Sequence, residues 1–257
     1  MNHRISSVAY FTLTRKEVSR IFRIWTQTLL PPVITQALYF VVFGAFLGTR
    51  IGQVGGVSYA AFIVPGLVLM SVVTNAFTNV ASSFFGTKFQ RSIEEMLVAP
   101  MSPLVMLSGF CTGGVVRSVL VGGIVLVVSV FFVPLTMLHV WLVLYFGLMT
   151  AICFSLFGFL NGLFARKFDD VGIVPTFVLA PLTYLGGVFY DIGNLHGVWH
   201  VVARLNPLAY AIDGFRFGFS GYATTPVAVS ALVLGAVTVG LFVLTLHLLR
   251  RRVGLQS

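Results

Sequence analysis

The chain has 257 residues, of which 58% are apolar and only 9% charged, with 25 phenylalanines and a mean hydropathy of +0.99. That is more apolar surface than a soluble core of this size needs, and it excludes a water-soluble globular protein. The net charge of +9 does not indicate nucleic acid, because a nucleic-acid surface clusters its charge on a soluble face and here the charge lies between apolar runs.

The first 26 residues form a polar, basic segment with helical periodicity. Phe11, Val18, Ile21, Phe22 and Trp25 fall on one stripe, and Arg15, Lys16, Ser19, Arg20 and Arg23 fall largely elsewhere. Thr14 followed by Glu17 fits a capping box, so a regular helix can begin there. A basic amphipathic helix ending near a Trp is expected to lie along the inner membrane surface. It either orients the first span or also touches a cytoplasmic subunit.

Six apolar stretches, 27–48, 58–84, 104–133, 139–164, 171–189 and 226–249, are long enough to cross a hydrocarbon layer of about 30 Å as helices. They are continuously apolar, whereas barrel strands alternate faces, so the expected fold class is all-α: six transmembrane helices in one domain over residues 1–257. No short apolar run near the start ends in a small-residue cleavage site, so the first span is expected to remain in the mature chain. Cys111 and Cys153 fall inside spans and read as packing residues.

Twelve of the sixteen basic residues flank the same side of these spans: Arg4, Arg15, Lys16, Arg20 and Arg23; Lys88 and Arg91; Arg166 and Lys167; Arg250, Arg251 and Arg252. Basic residues stay cytoplasmic during insertion, so both termini are expected in the cytoplasm.

Two regions outside the spans carry more structure than a loop needs. Residues 86–103 read GTKFQRSIEEMLVAPMSP. Helical spacing puts Phe89, Ile93, Met96 and Leu97 on one face, and Arg91, Glu94, Glu95 and Val98 around another. Arg91 and Glu95 stand at i,i+4, a pair that supports a helix by only about 0.2–0.5 kcal/mol. Pro100 and Pro103 then stop it. The second region, residues 190–225, is too apolar for a free aqueous loop. Asn206 followed by Pro207 reads as an N-cap and first helical position, giving a helix through about Arg216. An interfacial or re-entrant helical pair dipping in from outside is expected there.

With these features in hand, the chain resembles the ABC-2 family of transporter permeases over essentially its whole length. The resemblance rests on six spans with both ends inside, on SIEEMLVAPMSP after the second span, and on NPLAYAIDGFR (Asn206 to Arg216) before the last. It implies a permease subunit of a bacterial exporter in the inner membrane, moving a hydrophobic or amphipathic compound such as a lipid, glycolipid, polysaccharide or drug outward. It also implies a homodimer, or a pair with a sibling permease, bound to two cytoplasmic ATPase subunits that carry the ATP and Mg2+. The chain itself contains no Gly-Lys dipeptide and hence no phosphate loop. Residues 86–100 match the family's coupling helix, which assigns Phe89, Arg91, Glu94, Glu95, Met96 and Leu97 to ATPase coupling; which face meets the ATPase stays open. Asn206, Pro207, Tyr210, Asp213 and Arg216 match the signature of the re-entrant segment. Three small-xxx-small pairs, Gly109/Gly113, Gly158/Gly162 and Gly214/Gly218, permit close helix approach and are candidates for the dimer seam.

Arg117 stands inside the third span, where a basic residue costs about 2.5–3.5 kcal/mol and needs water or a partner. It either draws an anionic headgroup into the substrate pathway or snorkels to the surface. Gly218-Phe219-Ser220-Gly221 mimics an intramembrane serine protease motif, but roughly 40 Å of helix separates Ser220 from His247; only His200 could approach it. His196 and His200 share an i,i+4 spacing that metal sites use, with Asp191 the one further ligand in view, and read instead as interfacial histidines. An ATP-independent secondary transporter is the main alternative, though it would usually show more ionisable groups at mid-membrane.

Overall fold

A computed structural model describes residues 3–99 and 101–254, the side chains of residues 3–5, 45 and 49 excepted. Backbone groups that leave water must bond within their own segment, and the apolar runs accordingly fold as helices; the fold is all-α, with one small hairpin among the described residues. In order come α1 (His3–Arg23) and α2 (Trp25–Tyr39), which continues through a π-helical stretch (Phe40–Leu47) into α3 (Gly48–Ile51). The hairpin pairs β1 (Gln53–Val54) with β2 (Val57–Ser58). Then follow α4 (Tyr59–Phe89), α5 (Ser92–Val98), α6 (Pro103–Val130), α7 (Val140–Phe164) and α8 (Phe168–Val174). A second π-helical stretch (Pro175–Leu179) leads into α9 (Ala180–Leu185), a 3-10 turn (Ile192–Asn194), α10 (Val198–Leu205), α11 (Pro207–Ser220) and α12 (Val227–Arg250).

Among the described residues, six segments are long and apolar enough to span a membrane: Trp25–Gly44, Tyr59–Phe89, Pro103–Val130, Val140–Phe164, Phe168–Leu185 and Val227–Arg250. They agree with the predicted spans to within a few residues at each end. The second is the axis of the bundle, with 78% of its apolar window buried, against 17%, 11% and 17% for the first, fifth and sixth. α6 and α7 pack along α4, and α11 wedges between α4, α7 and α12.

The bundle has two chemically distinct ends. At one, Leu13 of α1, Ile93 of α5, Leu163 of α7 and Leu249 of α12 share a buried cluster, and Lys88 donates to the carbonyls of Leu163 (2.7 Å) and Ala165 (2.9 Å). Eleven of the twelve flanking basic residues belong to the segments that meet there, Arg4 being outside the described side chains. At the other end Gly55 of the hairpin packs on Tyr222, and Tyr59 donates to the Phe189 carbonyl at 2.9 Å.

All three glycine pairs, offered by spacing alone as candidates for a dimer seam, face helices of the protomer itself. Cβ atoms at Gly109 and Gly113 would meet Leu13 and Glu17 of α1; at Gly158 and Gly162, the backbone of α4 at Phe77 and Ala81; at Gly214 and Gly218, Phe146 and Val143 of α7. A small residue at these crossings lets two helices approach closely.

The N-terminal helix also differs from its sequence reading. It runs unbroken from His3, so Thr14 and Glu17 lie mid-helix rather than in a capping box. Its buried face is Leu13, Glu17 and Ile21, packed on α6, while Phe11, Phe22 and Trp25 are exposed. Of the predicted stripe, Phe11 and Phe22 are exposed on α1, Val18 is half-buried, Ile21 is buried and Trp25 belongs to α2, and the face that holds the helix contains a carboxylate.

Candidate functional site

The island after the second span is split by a corner. α4 continues to Phe89, and Arg91 then adopts a left-handed conformation (φ 58) that redirects the chain into α5. The predicted helix over 86–100 is thus the end of α4 plus a separate seven-residue helix. Ser92 donates to the Thr87 carbonyl at 3.1 Å across the corner. Pro100 lies outside the described residues, and Pro103 opens α6 behind Ser102, whose side chain accepts from the Val105 amide at 3.2 Å.

The corner separates residues that a continuous helix would group. Ile93 is 2% exposed, and Met96 and Leu97 pack beside it against the same cluster. Phe89 does not share that face: it is exposed, edge-on to Phe168. Arg91, Glu94, Glu95 and Val98 all point outward, Val98 being 88% exposed. The Arg91–Glu95 pair is not formed, because Arg91 precedes the helix; the one ion pair found among the described residues is Glu17–Arg20.

Arg117 belongs to a polar cluster of α1, α4 and α6 that the sequence reading did not assemble. Glu17, 1% exposed, accepts from Arg20 (2.8 Å) and from the Ser83 hydroxyl (2.7 Å) on one oxygen. Asn79 Oδ1 accepts from Arg20 at 3.0 Å and from Arg117 at 3.5 Å. Helical spacing could have flagged part of it: Asn75, Asn79 and Ser83 follow at four-residue steps on α4. Nothing in the sequence, however, ties Glu17 to that helix.

The 190–225 segment folds as the expected helical pair, α10 and α11. Asn206 caps α11, accepting from the Leu208 amide (3.0 Å) and donating to the Leu182 carbonyl (2.6 Å), and Pro207 takes the first helical position. The helix runs beyond Arg216 to Ser220, ending at Gly221 (φ 71). Tyr210 donates to the Arg204 carbonyl at 2.9 Å. Asp213 accepts from the amides of Thr224 (2.9 Å) and Thr225 (2.7 Å), closing the loop into α12. Arg216, 2% exposed, lies over the Phe62 ring (3.8 Å to the centroid) and donates to the carbonyls of Phe62 (3.3 Å) and Gly187 (2.7 Å). The signature residues thus stitch the helical pair to α4 and to the turn after α9.

Asp191 completes the stitching by accepting from the Gly193 amide (2.9 Å), the Thr224 hydroxyl (2.8 Å) and the Tyr222 phenol. Burial alone would raise its carboxyl, but these hydrogen bonds and the charge of Arg216 hold it below its ordinary value. The Tyr222 phenol is pushed up, by its bond to Asp191 and then by burial. Asp191 is therefore occupied as a loop anchor. His196 precedes Gly197 and α10, so its spacing to His200 is not helical. Ser220 donates to the Arg216 carbonyl at 3.2 Å and accepts from the Tyr222 amide at 3.3 Å, a helix-end role.

An ABC-2 type transporter profile matches residues 8–220 of the chain. The chain is 51% identical over 251 residues to the inner membrane transport permease YadH of Escherichia coli K12, covering 97% of this chain and 98% of that one. It is 29% identical over 230 residues to nodulation protein J of Rhizobium leguminosarum bv. trifolii, covering 88% and 86%, and 28% identical over 221 residues to nodulation protein J of Rhizobium meliloti, covering 84% and 82%.

Proposed function

The chain belongs to the ABC-2 type transporter family, and from that premise we propose that this multi-pass inner-membrane permease is the membrane half of an exporter driven through α5. Membership implies pairing with ABC ATPase subunits. In this reading two of them supply the ATP and Mg2+ chemistry, and two copies of the chain, or this chain and a sibling, form the pathway. Both termini and α5 face the cytoplasm, which the gathering of basic residues at that end supports. The cargo is a hydrophobic or amphipathic compound, a lipid, glycolipid, polysaccharide or drug, moved outward.

The observation that carries this reading is the division of α5. Its outward face, Glu94, Glu95 and Val98, is free for a partner together with Arg91 at the corner before it, while Ile93 is buried against the feet of α1, α6, α7 and α12. Closure of an ATPase pair against the outward face would press Ile93 into that cluster and tilt the helices behind it. A few kcal/mol of differential binding suffices to shift such an equilibrium. Met96 and Leu97 act with Ile93 on the inner side, and Phe89 with Phe168 lies at the margin of the contact. The Asn206 to Arg216 segment holds the opposite end as a gate for release, and Arg117 stands on the substrate pathway.

Charge reversal at Glu94 and Glu95 together tests the coupling role. Both side chains are exposed, so the E94K/E95K chain is expected to insert and fold normally yet lose the ATPase subunit that co-purifies with the unmodified chain. Unchanged association and unchanged transport would count against α5. A transport-active assembly lacking any ATPase would favour the secondary-transporter reading instead.

A further inference from the structure

Where α1, α4 and α6 meet, two guanidinium groups converge on one acceptor. Arg20 and Arg117 both donate to Asn79 Oδ1, the second only at 3.5 Å. The one carboxylate in the cluster, Glu17, is engaged by Arg20 and Ser83 through Oε2 only, its Oε1 being enclosed without a donor, so the cluster carries two cations against one anion. Asn79 is 1% exposed, and its Nδ2 has no acceptor; Nε of Arg20 and Nε of Arg117 are likewise enclosed without one. A snorkelling arginine would extend its donors into water. Arg117 instead holds an enclosed Nε and turns Nη1 towards Asn79.

The position suits a ligand from the membrane surface. The 28 residues of α6 rise about 42 Å, some 12 Å more than the hydrocarbon layer, and α1 packs beside the first half of that helix. Arg20 is 33% exposed, which opens the cluster on one side. Exposed Phe11 and Phe22, with exposed Arg15, Lys16 and Arg23 on the same helix, would draw α1 against an anionic leaflet.

We propose that Arg20, Asn79 and Arg117 form a binding site for a phosphate group, carried by an anionic lipid or lipid-linked cargo, or free. The inference rests on the reading of Arg117 as part of the substrate pathway and names the chemistry recognised there. A phosphate offers acceptors to guanidinium and amide donors and cancels the surplus charge, and the guanidinium fork matches its geometry.

The test uses the full chain, delipidated in detergent or held in nanodiscs of phosphatidylglycerol or phosphatidylcholine, with bound lipid counted by native mass spectrometry and the unfolding midpoint recorded. Phosphatidylglycerol is expected to stay bound through delipidation and phosphatidylcholine to be lost. Equal stabilisation by inorganic phosphate would assign the site to free phosphate, and stabilisation by phosphatidylglycerol alone to a lipid head. R117Q is expected to weaken binding by about tenfold or more, with R117K retaining much of it. The discriminating variant is E17Q, which raises the surplus from one charge to two. Phosphate binding should tighten about 3- to 10-fold, even though the Glu17–Arg20 ion pair within α1 is lost and the Ser83 bond to α4 is weakened. If E17Q weakens binding, or neither phosphate source binds, the cluster is only a latch for α1 and the proposal is overturned. That result, with ATPase association and transport intact, would leave the permease reading standing; loss of that reading in the α5 variants would not abolish phosphate binding.

Discussion

Substitution of Gly158 by alanine probes the crossing on which the bundle depends. A Cβ at this position would come within 3.0 Å of Phe77 Cα and its carbonyl carbon, and closer still to the carbonyl oxygen. That is about 0.5–1 Å inside ordinary carbon contact. The obstacle is backbone on the most buried helix, and the Phe77 side chain is 0% exposed, so α7 must move away from α4. Overpacking of this kind costs about 1–3 kcal/mol, offset by up to about 1 kcal/mol from the better helix propensity of alanine. A net destabilisation of about 1–2 kcal/mol is expected. Gly123 on α6 is the control, since nothing lies within 4 Å of its Cβ position; G123A should be neutral or more stable by up to about 1 kcal/mol. At roughly 2–4 °C per kcal/mol for a chain of this size, the two variants should differ by about 2–12 °C in unfolding midpoint, measured by tryptophan fluorescence in one detergent. Equal midpoints would refute the claim that Gly158 is required by the approach of α7 to α4.

Lysine at position 216 keeps the charge but cannot span the Phe62 and Gly187 carbonyls while lying over the Phe62 ring; R216K is expected to lose about 2–3 kcal/mol in the same assay, and a wild-type midpoint would show that the fork is dispensable. Asp191 has its folded pKa held below the unfolded value, so its contribution to the 190–225 fold is present above the unfolded pKa of about 3.9 and lost as pH falls through the lower, folded one. Y222F removes a donor and raises that folded pKa, so hydrogen exchange at 190–194 and 222–225 should accelerate at higher pH than in the unmodified chain; superimposable pH profiles would exclude the Tyr222 bond as the cause.

Much of the architecture was legible because membrane burial imposes local rules. Continuous apolar length announces a span, the side of the basic residues announces an end, and Asn-Pro announces a helix start; the six spans and the start of α11 followed from these. The island was harder. Residues 86–99 have helical periodicity throughout, and no residue in them demands a break, since a left-handed Arg91 is a conformation that arginine rarely adopts. Only the packing of Ile93 under the bundle, with Phe89 drawn against Phe168, places the corner and thereby divides the candidate coupling residues into an inner and an outer set.

The sequence by itself determined the class of the molecule, its spans and the segregation of its charge, because these depend on the transfer of each segment into lipid and not on what neighbours it. The tertiary structure alone decided the partners of the polar groups. Glu17 reads locally as part of a cap and Arg117 as an isolated charge; they become one cluster because α1 lies across Gly109 and Gly113 of α6 and brings Arg20 to Asn79 of α4. The same holds for the glycine pairs, whose spacing says that something approaches closely and whose crossings show that it is the protomer's own helices. A buried polar group must find its partner among residues distant in sequence, and only the packed bundle specifies which ones arrive.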